Sequence, residues 1–515
     1  MMIKLNNINL LITFCVAVVA VFFCINKLCS INRPKFQVVN GDQRHGFQSV
    51  DCWFDVKFKS PRTECYYMHV PEDHSLQTQS TNVVAYPVVV FRSNVKSSAK
   101  APVLHLGAGG PGAPMWLNSS DDIAYILEVH GEMSIKQGRD LFVIDPRGTG
   151  LSKPLLTCDK FVEREETRLN ENLSFVDYSN SVNKDYLDCI DKFDTQGVDL
   201  SNYNSLSIAK DIEMMRIASK VEQWVLVGVS YSATYAQIVA SQYPSSIESM
   251  VLDSSTFPSL KRHDNFLQKT MASYESLYNY CNYQVSCNSP IQGVEQRIWR
   301  LHKELNNKPI KLEINHPYQN KNIVIQLNGE RFISSLLNGV YGIQIFNDLP
   351  EIIVELEARR ANKIVPYLEN FVAFLLDTTY GDVSILTHYC YEDKKYIDFD
   401  LIRSEISKLP KGYIQDAALD SLEFQDYCDY MQIESGGVEI ASAIKTDIPT
   451  LFLHGEFDTI TPLSDVTKQR ASFSQNYLVT YQVSHDVLGS ERCSQVVAAK
   501  FIKDTTAGRD ELNCR

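Results

Sequence analysis

The sequence predicts a mostly parallel β-sheet covered on both faces by helices, with a large helical insertion between two groups of core strands. Three observations carry this. Short apolar runs alternate with helix-spaced segments from about residue 83 to 253. The alternation stops at Pro258, where a tyrosine-rich stretch of helical rhythm begins and runs to Ser442. It then resumes at Pro449 and closes on a β-branched run ending at Val483. Apolar runs without a polar face suit strands buried on both sides, and alternation with helices is the mark of a parallel sheet.

Val83 to Phe91 is β-branched and interrupted only by Pro87, which predicts an outer strand, because proline cannot donate to a ladder. Pro102 to Leu106 is a short strand ending in the glycine-rich turn Gly107 to Gly112. Asp140 to Ile144 is another, closing on Asp145-Pro-Arg-Gly-Thr-Gly150. Tyr203 to Ser219 has helix spacing, with Ile208, Ile212, Met215 and Ile217 among polar residues. Trp224 to Val227 is a buried strand, Ala233 to Tyr243 a helix, and Met250 to Asp253 the next strand. The last two strands are Pro449 to Leu453 and Tyr477 to Val483. The chain therefore divides into a leader (1–34), a first core part (35–257), a cap insertion (258–442) and a second core part (443–515).

The leader has Lys4 ahead of the apolar run Ile8 to Ile25, as a signal peptide or an uncleaved signal anchor would. Beyond Cys15, Cys24 and Cys29, ten cysteines remain in near pairs: Cys52 with Cys65, Cys158 with Cys189, Cys281 with Cys287, Cys390 with Cys428, and Cys493 with Cys514. An even set behind a hydrophobic leader predicts five disulfides and a secreted, periplasmic or cell-surface protein. No cysteine and histidine spacing suits zinc, and no metal or cofactor is expected. A net charge of -13, with no basic run, argues against nucleic acid as a partner. The acceptors Asn118-Ser-Ser120 and Asn172-Leu-Ser174 would be glycosylated only in a host that does so.

Gly228-Val-Ser230-Tyr-Ser232 lies between a strand and a helix, the context in which a sharp turn lifts a serine hydroxyl above a sheet. A serine becomes nucleophilic through a histidine base, and the histidine needs an orienting carboxylate. Asp458 and His485 follow the last two core strands, at the rim where parallel sheets place function. His454, His388 and Asp486 are rivals: the first sits within a strand, the second in the insertion, and the third beside His485. The turn Gly109-Gly-Pro-Gly112 offers backbone donors for an oxyanion, from Gly109 or Gly110, with Tyr231 N–H as the partner donor.

These motifs, with Asp145-Pro-Arg-Gly-Thr-Gly-Leu-Ser152, Gly455-Glu-Phe-Asp458 and Thr461-Pro462, resemble the proline iminopeptidase and tripeptidyl aminopeptidase family of serine peptidases. The resemblance runs in order from about Cys65 to His485. It implies an α/β-hydrolase fold with a helical cap, and removal of amino-terminal residues or short peptides through an acyl-enzyme. The size and paired cysteines look more like the secreted tripeptidyl branch. Two positions depart from the pattern: Ser232 replaces the second elbow glycine, and Ala108 replaces the histidine that often precedes the Gly-Gly-Pro-Gly turn.

An exopeptidase must recognise a free α-amine, a task for carboxylates; Glu392, Asp393 and Glu456 are the candidates by position. Arg147 reads as a scaffolding residue as readily as a substrate ligand. The expected partners are peptides with a free amino terminus, with a possible membrane tether through the leader. Two alternatives stay open: a carboxylesterase using the same triad, and a catalytically dead binding protein, for which Ser232 is the support.

Overall fold

The computed structural model describes residues 45–506, apart from 56–60, 77–81, 95–99, 261–265, 285–286, 288–289, 410–411, 423 and 438–439, together with Leu512 and Cys514. The leader, with its signal or anchor reading, lies outside the described residues. Among them no helix is long and apolar enough to cross a membrane.

Among the described residues nine strands form one sheet: β1 (Gly46–Val50), β2 (Arg62–Pro71), β3 (Val83–Arg92), β4 (Val103–His105), β5 (Leu141–Ile144), β6 (Trp224–Val229), β7 (Ile247–Asp253), β10 (Thr450–Gly455) and β11 (Asn476–Tyr481). Their order is β1-β2-β3-β5-β4-β6-β7-β10-β11. From β5 to β11 all neighbours are parallel, and β1 to β3 add an antiparallel flank. Alternate residues of each core strand enter opposite apolar layers. Leu104, Leu226, Leu252 and Phe452 face one, and Val103, Val225, Val251 and Leu451 face the other.

The expectation of an outer strand at Val83 to Phe91 is corrected. β3 lies third in the sheet, covered by β2 and β1, which the apolar runs did not reveal. Pro87 is tolerated there because β3 pairs with β5 only from Val88 onward. On that same side Ala85 exchanges backbone bonds with Lys153, and Pro87 falls in the gap between that bridge and the ladder.

Between β7 and β10 the chain leaves the sheet. It forms helices from Phe266–Tyr278 to Phe424–Met431, with an apolar core of its own around Phe332, Phe346 and Ile352. It also holds a hairpin, β8 (Ile310–Asn315) and β9 (Asn322–Leu327), beyond the helical rhythm expected there. Ile310, Leu312 and Ile314 stand opposite Leu327, Ile325 and Ile323, so one face of the hairpin is apolar. The ten cysteines pair as Cys52–Cys65, Cys158–Cys189, Cys281–Cys287, Cys390–Cys428 and Cys493–Cys514.

The cap is pinned to the core through glycines. Gly381 N–H donates to Gly112 O (2.8 Å), and Gly150 N–H donates to Thr379 O (2.9 Å). A Cβ on Gly112 would lie 2.3 Å from Gly381 O, and one on Gly381 would lie 2.3 Å from Gly148 O. The two glycine-rich motifs of the core are therefore the surfaces on which the cap loop 377–381 seats.

Candidate active site

β6 runs directly into the helix Ser232–Gln242, and Ser230 occupies the turn between them with φ 53°. A left-handed conformation is strained for a residue with a Cβ, and here the surroundings over-determine it. Ser230 N–H donates to Asp253 O (2.9 Å), while Ser230 O accepts from Ala233 N–H and Thr256 N–H. Gly228 has to be glycine because a Cβ would stand 2.7 Å from Ala233 Cα. Gly109 has the same constraint from the other side, since its Cβ would lie 2.8 Å from Ser230 Cβ.

Ser232 is fully buried and fits the elbow without displacing it. Its Oγ accepts from Val229 N–H (2.8 Å) and lies 2.8 Å from Gly107 O and 2.9 Å from Val229 O, either of which can take its one proton. The hydroxyl thus ties the nucleophile turn to the glycine-rich turn after β4. That second turn places Gly109 against Ser230, which is followed in the chain by Tyr231, and puts Gly110 on the wall of the cavity onto which Ser230 opens.

Asp458 and His485 meet. His485 Nδ1 lies 2.9 Å from Asp458 Oδ2, and both residues are buried. Asp458 Oδ1 accepts from Ile460 N–H and Thr461 N–H, each at 2.9 Å, and Thr461 Oγ1 lies 2.7 Å from Oδ2. Burial alone would raise the Asp458 pKa, but the His485 charge and these donors hold it below the usual carboxylate range. Burial likewise opposes charge on His485, and the Asp458 carboxylate outweighs it, so the imidazole sits above its ordinary value. A Cβ on Gly455 would stand 1.9 Å from Ser484 O, so the glycine of that motif lets the histidine loop close over β10.

Two further residues, missed from the sequence, hold this arrangement. Asp253, at the end of β7, accepts Ser230 N–H on its carbonyl, while its carboxylate accepts Val487 N–H (3.0 Å) and Leu488 N–H (2.7 Å). One buried residue therefore fixes both the elbow and the histidine loop. Tyr341, from the cap, accepts His485 N–H on its carbonyl (3.1 Å), and its ring meets the imidazole edge to face at 5.3 Å. An aspartate closing an apolar strand was a visible signal for the first; nothing in the sequence marked the second.

Ser230 and His485 open onto one cavity of about 840 Å³, with Trp116, Tyr125, Phe371, Phe374 and Tyr380 among its apolar walls. Its acidic residues are Asp122 and Asp486, and no lysine or arginine is among its described lining residues. The amine-binding candidates Glu392, Asp393 and Glu456 do not line this cavity. Glu392 and Asp393 are buried beside a separate cavity of about 180 Å³, behind Tyr231. There Glu392 accepts from Tyr231 Oη (2.5 Å) and from Ser205 N–H (2.8 Å), as a lock between cap and core. Glu456 is exposed and accepts from Thr480 Oγ1 (2.9 Å).

The rival residues are engaged in other contacts. His454 is buried with Nε2 2.7 Å from Thr461 O, and His388 Nδ1 lies 2.7 Å from Ser384 O. Asp486 caps the short helix after it by accepting Gly489 N–H. Arg147 is a scaffold: it grips Asp211 with two donors (2.7 and 2.6 Å) and donates to Pro71 O, Glu72 O and Asn202 O. Asp145 accepts Met115 N–H (2.6 Å) and Leu151 N–H (2.9 Å), joining the two glycine-rich motifs, and burial pushes its pKa up to about 6.

Comparison with known proteins gives the following likenesses. A family model described as alpha/beta hydrolase fold matches residues 103–282. The putative hydrolase YuaR of Escherichia coli (strain K12) is 26% identical over 265 residues, 48% of this chain and 50% of that protein. Serine protease Hip1 of Mycobacterium tuberculosis (strain ATCC 25618 / H37Rv) is 23% identical over 239 residues, 44% of each chain. Carboxylesterase B of the same strain is 26% identical over 192 residues, 36% of this chain and 35% of that one. The chain thus spans about half the length or less of these relatives. A solved proline iminopeptidase of Mycobacterium smegmatis is 12% identical with a TM-score of 0.40, covering 85% of this chain and 98% of that one. The strand order, the elbow between β6 and its helix and the matching family model identify the chain as an α/β-hydrolase fold.

Proposed function

We propose that this chain is a secreted or membrane-tethered serine aminopeptidase that releases amino-terminal residues or short peptides. The observation that carries the reading is the left-handed Ser230 facing the same cavity as His485, whose other nitrogen is held by Asp458. His485 takes the Ser230 proton as the hydroxyl attacks the carbonyl, and Asp458 holds the imidazole tautomer with Nδ1–H toward it. Backbone N–H groups of Gly109 or Gly110 and of Tyr231 receive the oxyanion. The proton then passes from His485 to the leaving amine, and water repeats the cycle on the acyl-enzyme.

Exopeptidase action is supported by the cap, which encloses the cavity with Tyr341, Phe371, Phe374 and Tyr380 and limits the length of peptide it admits. A cavity whose charged lining is Asp122 and Asp486 suits a substrate bearing an ammonium group. The five disulfides support an oxidising compartment. A carboxylesterase is the second reading, favoured by the likeness to carboxylesterase B and by the apolar walls.

The test is turnover of prolyl, alanyl and tripeptidyl fluorogenic amides, with the amine free or blocked, beside a short-chain ester. Turnover of free-amine amides, abolished in Ser230→Ala, is the expected result. Ester turnover alone moves the protein to the esterases. A fluorophosphonate probe that leaves Ser230 of the folded chain unlabelled sinks both readings in favour of a binding protein.

A further inference from the structure

The catalytic cavity descends beside β4 into the layer formed by Val103, Val227, Ile126 and Val129. Two histidines line it there. His105 ends β4, and His130 ends the helix Ser120–His130. In the parallel register His105 stands opposite Val227, three residues before Ser230, so this floor lies about 10 Å below the nucleophile. The two rings are 4.3 Å apart between centroids, tilted by 59°. His105 is 1% exposed and His130 6%. Among the described residues neither nitrogen of His105 has a hydrogen-bond partner, nor does Nδ1 of His130.

Buried polar atoms are nearly always partnered, and a layer of valine and isoleucine could have been completed by apolar side chains at no such cost. The missing partner is therefore sought in what enters the cavity. Burial pushes both imidazoles down, His130 to about 4, so each is neutral near pH 7, and the two unpartnered nitrogens of His105 present one N–H and one lone pair. An ammonium group brings only donors and leaves the N–H unmet. A carboxylate brings only acceptors and leaves the lone pair unmet. A carboxamide or a hydroxyl brings both.

We infer that His105 and His130 form the floor of a recognition subsite for a neutral hydrogen-bonding side chain of the substrate, a carboxamide or a hydroxyl. The inference rests on the reading of this cavity as the peptide site. It makes the subsite selective by leaving buried groups unpaired when the wrong side chain binds, which discriminates more sharply than a change of size.

The test is calorimetric binding to the full chain carrying Ser230→Ala, so that the peptide is not consumed. The probes are Gln-Ala-amide against Met-Ala-amide, Asn-Ala-amide against Leu-Ala-amide, and the reversed pairs with alanine first. The carboxamide member should bind roughly 10- to 100-fold more tightly at one of the two positions. The preference should fall to within about threefold in His105→Phe and in His130→Phe, and His130→Asn should restore part of it. Because phenylalanine removes unpartnered polar atoms, both variants should keep or raise Tm, which shows that they fold. Equal binding of the paired peptides at both positions overturns the inference, leaving the imidazoles to ordered water. So does a preference that survives both phenylalanine variants. Failure of the peptidase reading is seen separately: no turnover by the wild-type chain, with the preference intact, overturns the peptidase and keeps the subsite.

Discussion

Two cavities flank the nucleophile turn, and they differ in what their carboxylates do. On the Ser230 side, about 840 Å³ of space is bordered by Asp122 and Asp486. On the Tyr231 side, about 180 Å³ is bordered by Glu392, Asp393 and Asp465. Consecutive residues thus serve opposite spaces, and the acids most conspicuous in the sequence border the smaller one. Glu392 is spent on Tyr231 Oη and Ser205 N–H, bonds that fasten the cap to the core. A carboxylate already holding two donors in a buried site has little capacity left for a substrate. The comparison teaches that closeness to a catalytic motif and access to it are separate properties.

The sharpest way to test the assignment of the larger cavity is Ser230→Ala, which should lower kcat by roughly 10⁶ if the triad reading holds. Residual turnover near wild type would show that the chemistry is done elsewhere. Asp253→Ala comes next. Loss of the acceptor for Val487 N–H and Leu488 N–H should shift the histidine loop and lower kcat about 10²-fold with KM little changed. An effect confined to Tm would reduce Asp253 to a structural residue.

Exchanging the two sets of acids sharpens the comparison itself. Glu392→Ala should destabilise the fold by about 1–3 kcal/mol in denaturant unfolding, through the loss of the acceptor for buried Ser205 N–H and half-buried Tyr231 Oη. It should leave the ratio of free-amine to blocked-amine turnover unchanged. Asp122→Asn should do the reverse, raising KM for free-amine substrates several-fold, about 1 kcal/mol, with Tm unaffected. If Glu392→Ala alone erases the amine preference, the roles of the two cavities are the other way round.

The smallest effect is on pH dependence. His485 is raised above 6.5, and the base must be unprotonated to accept the serine proton. Activity should therefore rise with pH through that elevated value and be lost below it. Asp486 adds to the elevation, so Asp486→Asn should move the acid limb of kcat/KM downward by less than about one pH unit. An unmoved or upward-shifted limb would show that the Asp486 charge does not reach the imidazole.

Much of the core was legible because its signals are local. Trp224 to Val227 is apolar on every position, as a strand buried on both faces must be, and it lies within β6. Gly109 and Gly228 mark turns in the sequence, and the structure supplies the Cβ clashes that require glycine there. Asp458 and His485 were placed by strand ends and order, and the fold brings them to 2.9 Å. The antiparallel flank was illegible because β2, Arg62–Pro71, mixes charged and aromatic residues, having part of one face open to solvent. The hairpin β8 and β9 was hidden within a helical rhythm, since its apolar face joins the cluster around Phe332 and not the sheet.

The sequence by itself determined the parallel core, the turn that holds Ser230, and the order in which Ser230, Asp458 and His485 follow core strands; the cysteine pairing it left open. What it determined follows from periodicity and backbone sterics, which act over a few residues. Only the tertiary structure decided which acids face the catalytic cavity, that Tyr341 and Asp253 hold the histidine loop, and that His105 and His130 meet on its floor. Each of those depends on contacts between segments 25 to more than 200 residues apart. Such distances are set by how the cap and helices pack on the sheet, a property that no local pattern in the chain encodes.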